Sequence, residues 1–419
     1  MTQDILTSQK AEFERKLREP YVQREAVIIG LTTDLISVVI GPRRAGKSFF
    51  SIHSAGSLSS GVGYANFDEE RLLSISNFDE IISAIRLVYG NPKTLFFDEI
   101  QNLDHWEIIV NRLHREGYKL ILTGSNSRLL GSDQATRLTG RHFSTYLFPF
   151  SFREVMSLPG NNDTTIDKQQ RCFEYVTRGG FPEVWVKNYD PVEYLSTLFD
   201  SIILNDIVKR YRVRYPNALV DLAHILITNM TGEFSSTSIQ KLAKFNSFST
   251  VEKYMGFLEE AFLLFRIPRF SFKVKEQKIS GKKIYCYDNG YFQAKAFRFS
   301  QNTGKLFENA VAIELRRRKM AGNCRLFYYK NQKGEEVDFV IQQGLKITQL
   351  IQVCYSFSEP KVKEREIRAL LKASAELDCH KLMVITHDVE ATEKHSWFGN
   401  TGEIEFIPLW KWFLTDVGS

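Results

Sequence analysis

Five cysteines in 419 residues, standing far apart as Cys172, Cys286, Cys324, Cys354 and Cys379, exclude both a zinc ribbon and a disulfide scaffold. They read as isolated reduced thiols. No internal repeat or low-complexity tract is present, and no apolar run is long enough to span a bilayer. The start, from Met1-Thr2-Gln3-Asp4-Ile5 to Lys16, lacks the apolar core of a secretion signal, so a cytoplasmic protein without a membrane partner is expected. A large excess of one charge is also absent: a net +6 and pI near 8.8 permit nucleic-acid binding without requiring it. What remains is an ordinary globular composition, 43% hydrophobic and 25% charged. The length exceeds what one core can organise, so about two to four domains are expected.

The most specific segment is Gly41-Pro42-Arg43-Arg44-Ala45-Gly46-Lys47-Ser48, which follows the apolar run Leu35-Ile36-Ser37-Val38-Val39-Ile40 and precedes Phe49-Phe50. A buried strand, a glycine-rich loop and a helix start in that order form a phosphate-binding loop. The loop from Gly41 to Phe49 would wrap a triphosphate, with every backbone N–H except at Pro42 available to face it. Lys47 would neutralise the β and γ phosphates, and the Ser48 hydroxyl would bind Mg²⁺. Further apolar runs, Gly63 to Phe67, Thr94 to Phe97 and Tyr118 to Thr123, read as parallel strands. They end at Asp68-Glu69-Glu70, Asp98-Glu99 and Gly124-Ser125-Asn126, where a doubly wound sheet places its ligand. Asp98 is the second metal contact, through coordinated water, and Glu99 the base that polarises the attacking water. Either Ser125 or Asn126 contacts the γ-phosphate or that water, or serves as a helix cap. Thr145 to Phe148 reads as a fifth strand, preceded by Arg137-Leu138-Thr139-Gly140-Arg141. Arg141 is either a surface arginine or a group offered to a neighbouring copy's nucleotide. No Asn-Lys-x-Asp tetrad for guanine occurs, which favours ATP.

These segments, with Phe96-Phe97-Asp98-Glu99-Ile100-Gln101, Phe148-Pro149-Phe150-Ser151-Phe152-Arg153-Glu154, Gly179-Gly180-Phe181-Pro182-Glu183-Val184 and Gly334-Glu335-Glu336-Val337-Asp338-Phe339-Val340, resemble the prokaryotic, especially archaeal, AAA+ ATPases that carry a restriction-endonuclease-like C-terminal domain. The likeness spans nearly the whole chain. It implies Lys47 and Ser48 as the Walker A pair, Asp98 and Glu99 as the Walker B pair, Ser125 in the sensor region and Arg141 as an arginine finger. It also implies ATP and Mg²⁺ as cofactors and a homo-oligomer, with a hexamer as one candidate. The expected architecture is α/β: a P-loop AAA+ parallel sheet over residues 1–149 and a helical lid over 150–215. A winged helix-turn-helix over 216–285 and a restriction-endonuclease-like α/β domain over 286–419 follow.

The winged element rests on helices at Leu222 to Met230, Thr237 to Lys244 and Ser249 or Thr250 to Phe262. A hairpin of Phe265 to Phe270 with Lys282 to Tyr285 completes it. Lys241, Lys244, Lys253, Arg266, Arg269, Lys273, Lys275, Lys278, Lys282 and Lys283 are its candidate phosphate contacts, giving DNA binding with weak sequence preference. Protein docking is the alternative use. The last domain reads as a helix through Leu306, Ala310 and Ile313, three strands, a helix from Glu359 and a strand at Leu382 to Thr386. Nucleases of that order hold Mg²⁺ with two acids and orient hydroxide with a lysine two residues after the second acid. Asp338 is present and Glu308 is a plausible outer ligand. However, Gln352-Val353-Cys354 stands where acid-x-lysine belongs, so a non-cleaving binding or assembly module is expected. Arg316-Arg317-Arg318-Lys319 reads either as a phosphate grip or as a solvated helix end. The expected function is ATP hydrolysis coupled to DNA binding or remodelling. The rivals are an ATP-dependent nuclease with an altered metal site and a nucleotide switch that holds a protein partner.

Overall fold

The computed structural model describes the chain apart from residues 1, 57, 59–60, 76, 127–137, 139, 162, 244, 246, 297–301, 323, 358–359 and 416–419. It divides into two compact units, 1–150 with 260–262, and 151–259 with 263–419.

In the first unit, strands β1 (Ile36–Ile40), β2 (Val62–Asn66), β3 (Thr94–Asp98), β4 (Lys119–Gly124) and β5 (His142–Tyr146) form one sheet in the order β2-β3-β4-β1-β5. Every pairing is parallel. Ile-Ser-Val-Val-Ile and Thr-Leu-Phe-Phe-Asp are buried along their whole length, as strands of a covered parallel sheet must be. The main helices are α1 (Thr2–Arg18), α2 (Lys47–Gly56), α3 (Phe78–Tyr89) and α4 (Trp106–Arg115). Asn77 caps the start of α3 through the Asp79 N–H, and Gly90, at φ 72°, ends it, so both ends satisfy otherwise orphaned backbone groups. Phe13, Ile52, Ala55, Tyr64, Phe96 and Ile121 form a shared core between α1, α2 and the sheet. Because β4 is inserted between β1 and β3, the carboxyl ends of all three strands are adjacent.

In the second unit, α5 (Phe152–Met156), α6 (Thr165–Arg178), α7 (Pro182–Val186) and α8 (Pro191–Ser201) lead into a π-helical segment over Ile202–Lys209, which holds more residues per turn. Gly160 and Gly179, both at positive φ, separate helices as the sequence suggests. Next come α9 (Pro216–Thr228), β6 (Glu233–Phe234), α10 (Ser236–Leu242), α11 (Phe248–Glu260), β7 (Leu264–Pro268), α12 (Val274–Ile279) and β8 (Lys282–Cys286). The three strands pair in the order β6-β8-β7. The expected hairpin is therefore an antiparallel pair, but α12 occupies its connection. Past β7 the Phe270 N–H donates to the Tyr328 carbonyl at 2.7 Å, which ties the hairpin to the sheet that follows.

That sheet has six strands in the order β13-β14-β12-β11-β10-β9. It follows α13 (Gly290–Lys295) and α14 (Thr303–Ala321), and comprises β9 (Cys324–Lys330), β10 (Glu336–Gln343), β11 (Lys346–Val353), β12 (Leu382–Thr386), β13 (Ala391–Trp397) and β14 (Asn400–Pro408). Helix α15 (Pro360–Leu377) connects β11 to the parallel β12, and α16 (Leu409–Leu414) follows β14. The helix, three strands, helix and strand read from the sequence are all found. β13, β14 and α16 are additions: β13 alternates half-buried and exposed residues, and Thr-Glu-Lys-His-Ser carries little apolar signal.

Candidate functional site

Three strand ends meet at the carboxyl edge of the first sheet. After β1 the chain wraps through Arg44 at φ 65° and Gly46 at φ 91°. A Cβ on Gly41 would fall 2.0 Å from the Leu147 carbonyl oxygen, so only glycine lets the loop lie against the segment after β5. The Lys47 ammonium, 4% exposed, sits inside the loop and donates to the carbonyls of Gly41 at 3.1 Å and Pro42 at 2.9 Å. Arg24 supports the loop from outside. It is buried and donates to the Ala45 carbonyl at 3.0 Å and the Phe148 carbonyl at 2.6 Å. Phe49 packs against Tyr21 and His53, whose rings stack 4.2 Å apart.

Asp98 ends β3 and is buried. One carboxylate oxygen accepts from the Ser48 hydroxyl at 3.0 Å and also from Thr123. The other accepts from the Tyr64 hydroxyl at 3.1 Å. Burial first, then the neighbouring Glu99, pushes the Asp98 carboxyl above the ordinary aspartate range, against these hydrogen bonds, which favour its charged form. Glu99 follows in left-handed backbone at φ 51°. Its N–H donates to the Thr123 hydroxyl at 3.1 Å, and the Gln101 amide donates to its carboxylate. Ser125 and Asn126, both buried, lie at the end of β4 between the other two strand ends. Lys47, Ser48, Asp98, Glu99, Ser125 and Asn126 are thus brought to one edge. Thr123, Tyr64, Gln101 and Arg24 are additions to the sequence reading. Thr123 had a signal, a hydroxyl in an otherwise apolar strand; Arg24 had none.

Arg141 is exposed and precedes β5 in register with the start of β1, at the edge opposite the loop. A five-residue strand rises about 16 Å, so Arg141 does not reach the nucleotide site of its own chain. Arg137 and Thr139 lie outside the described residues.

The donor set at this edge, an ammonium in a backbone loop beside a hydroxyl and a carboxylate, fits a magnesium nucleotide. Fold and site together define a nucleotide-binding protein of the P-loop class. Residues 33–156 match the family described as an AAA domain, so the first unit carries an AAA-type domain. Residues 169–302 and 303–412 match two domains of unknown function, DUF8612 and DUF4143. The chain is 36% identical over 405 residues to the uncharacterized protein MJ1544 of Methanocaldococcus jannaschii, covering 92% of this chain and 90% of that protein. It belongs to the same family. An uncharacterized protein of Haemophilus influenzae is 29% identical over 365 residues, 82% of this chain and 87% of its own length. The crystal structure of Cdc6p from Pyrobaculum aerophilum, at 10% identity, covers 73% of this chain and 95% of that one, with a TM-score of 0.24, too low to define a common arrangement.

The candidate phosphate contacts of the second unit divide. Lys241, Lys253, Lys273 and Lys275 are exposed. Arg266 is not available as expected: its guanidinium is bound by Glu252 at 2.9 Å and Glu259 at 2.7 Å. Arg269 is partly buried and donates to the Lys330 carbonyl. Lys244 lies outside the described residues. Lys283, expected on the DNA-facing hairpin, is 3% exposed. The arginine cluster on α14 is also internal: Arg317 and Arg318 both bind Glu314, and Arg316 lies over the Phe265 ring at 5.3 Å.

The residues read as a degenerate nuclease site do converge. Asp338 on β10 accepts from the Val353 N–H at 3.0 Å, and its own N–H donates to the Gln352 side chain at 3.2 Å. Glu308 on α14 accepts from the Tyr285 hydroxyl at 2.8 Å. Burial and then Asp338 push the Glu308 carboxyl up to about 7. Cys354 is buried just past β11, its thiol pushed up to about 11 by burial. The absent lysine of the nuclease pattern has a counterpart from elsewhere, because Lys283 of β8 points its ammonium into this cluster.

Proposed function

We propose that this chain hydrolyses ATP with Mg²⁺ and couples the cycle to DNA through the segment 216–285, acting as an oligomer. The observation that supports hydrolysis most directly is the contact between Ser48, beside Lys47 in the loop, and the buried Asp98. Lys47 would leave its present carbonyl partners for the β and γ phosphates, and Ser48 with Asp98 would hold the metal. When bound, Mg²⁺ offsets the charge that develops on the phosphoryl oxygens. Glu99 would orient water onto the γ-phosphate after releasing Gln101. Arg141 of a neighbouring copy would stabilise the charge that spreads in the transition state.

DNA binding is supported by the order of α9, β6, α10, α11, β7 and β8 with strand order β6-β8-β7. That order supports reading the segment as a winged helix-turn-helix, in which α11 would be the groove-entering helix. The connection over 269–281 adds the exposed Lys273, Lys275 and Lys278 against a single acid, Glu276. The C-terminal domain would then bind or assemble without cutting.

Steady-state phosphate release, with and without duplex, single-stranded and branched DNA, tests this reading. Lys47→Ala should lower turnover roughly 100-fold or more. Glu99→Gln should lower it by a similar factor while retaining bound ATP. Turnover untouched by Lys47→Ala would sink the ATP reading, and turnover indifferent to every DNA would favour a nucleotide switch.

A further inference from the structure

Lys283 has an ammonium with three N–H donors, and three carboxylates meet it: Glu336 at 2.6 Å, Glu308 at 2.8 Å and Asp338 at 2.9 Å. Burial acts to discharge such a group. Here Asp338, Tyr285, Glu308 and Glu336 outweigh it and hold the ammonium well above the ordinary lysine range. Three clustered carboxylates without a cation would be strongly destabilising. In a nuclease that cation is a divalent metal at about 2.0–2.6 Å from carboxylate oxygens. Nζ fills that position, and Asp338 has its second oxygen engaged by the Val353 N–H. Gln352, with no charge to offer, bonds to the Asp338 N–H and to Glu366.

The lysine is also anchored from behind. Its strand β8 pairs with β6 and β7, the Tyr328 hydroxyl of β9 donates to the Gly281 carbonyl at 2.8 Å, and Lys330 of β9 binds Glu233 of β6 at 2.7 Å. These contacts fix β8 beside β9 independently of Nζ.

We propose that Lys283 is a built-in counter-ion that takes the place of a divalent metal. The Glu308, Glu336 and Asp338 cluster is then a clasp fastening the three-stranded sheet to the six-stranded one and is closed to metal. The non-cleaving assignment rests partly on the same residues, but the clasp is independent of the ATP site, so its failure leaves hydrolysis standing.

The test is Mn²⁺ binding to the full chain without nucleotide, followed by electron paramagnetic resonance, with thermal unfolding alongside. Wild type should show no Mn²⁺ binding that depends on Asp338. Lys283→Met should melt at a lower temperature and bind Mn²⁺ roughly tenfold or more tightly than wild type. Mn²⁺ should recover part of the lost melting temperature, and adding Asp338→Asn should remove that recovery. Wild-type Mn²⁺ binding that disappears with Asp338→Asn would overturn the proposal, as would a folded Lys283→Met that gains no Mn²⁺. If Lys283→Met does not fold, the wild-type titration decides alone.

Discussion

Thr123 serves two partners with one hydroxyl, donating to Asp98 and accepting from the Glu99 N–H. It thereby fixes the spacing between the proposed metal contact and the proposed base. Valine has nearly the same shape and neither function, so Thr123→Val would leave a backbone N–H unpaired in a buried strand end, at a cost of about 1–3 kcal/mol. Residues that orient a metal-holding carboxylate typically matter roughly 10- to 100-fold. We expect turnover to fall by about that factor while ATP affinity changes little, measured by single-turnover hydrolysis and equilibrium binding. Equal loss of affinity and turnover would mean that Thr123 shapes the pocket instead. At this scale the sequence is legible where chemistry dictates a spacing: Gly41 to Ser48 and Asp98-Glu99 meet at one sheet edge, Ser48 in contact with Asp98. Support from a distance is not. Arg24 reaches the Ala45 and Phe148 carbonyls from a segment whose composition says nothing about where its guanidinium lies.

Elements were legible in proportion to their apolar content. β1 and β3 are buried throughout and were readable as strands, whereas β13 is half exposed and was not. The junction of α6 with the segment before α13 shows what periodicity misses. There Asp288 accepts from the Gly180 N–H at 2.7 Å and the Gly290 N–H at 2.8 Å, and Asn289 donates to the Val176 carbonyl at 2.7 Å. Gly179, at φ 79°, could not be alanine, since a Cβ would lie 1.8 Å from an Asp288 oxygen. Burial pushes the Asp288 carboxyl up to about 7, against the two N–H bonds. For an acid raised in the folded state, the folded chain holds its proton longer than the unfolded one. Its contribution is therefore complete below the ordinary carboxylate range and is lost as pH rises through about 7. Asp288→Asn keeps one acceptor and turns an N–H₂ toward the other glycine, so at pH 5 it should destabilise by about 1–3 kcal/mol. The deficit should be smaller at pH 8 than at pH 5, because the Asp288 contribution is lost over that interval in wild type and is absent from the variant. Urea unfolding at the two pH values checks this, and an unchanged deficit would mean that Asp288 does not titrate there.

Across the whole molecule, local order was read well and long-range pairing poorly. The strands and helices of the C-terminal sheet were anticipated through β12, yet nothing in Lys282-Lys283-Ile284-Tyr285 marks which lysine faces solvent. Alternation alone would allow either, and the deciding carboxylates are Glu308, Glu336 and Asp338, far along the chain. The same logic redraws the proposed DNA surface. Arg266 and Lys283 lie inside, bound to acids, so phosphate contact falls to the exposed cations of the β7 to β8 connection and of α10 and α11. Lys273, with 78% of its side chain exposed, has an ion pair with Glu276 at 3.0 Å, and a solvated pair of this kind is worth too little to withhold it from a phosphate. Each phosphate contact contributes about 0.9 to the slope of log affinity against log salt. Lys273→Ala with Lys275→Ala should therefore weaken duplex binding across sequences and flatten that slope by about two. Arg266→Ala should instead lower thermal stability, since it leaves Glu252 and Glu259 facing each other without their cation. Fluorescence anisotropy over a salt series separates these outcomes. A slope unmoved by the double lysine variant would remove the connection from the DNA surface, and a slope altered by Arg266→Ala in a fully stable protein would return that arginine to it.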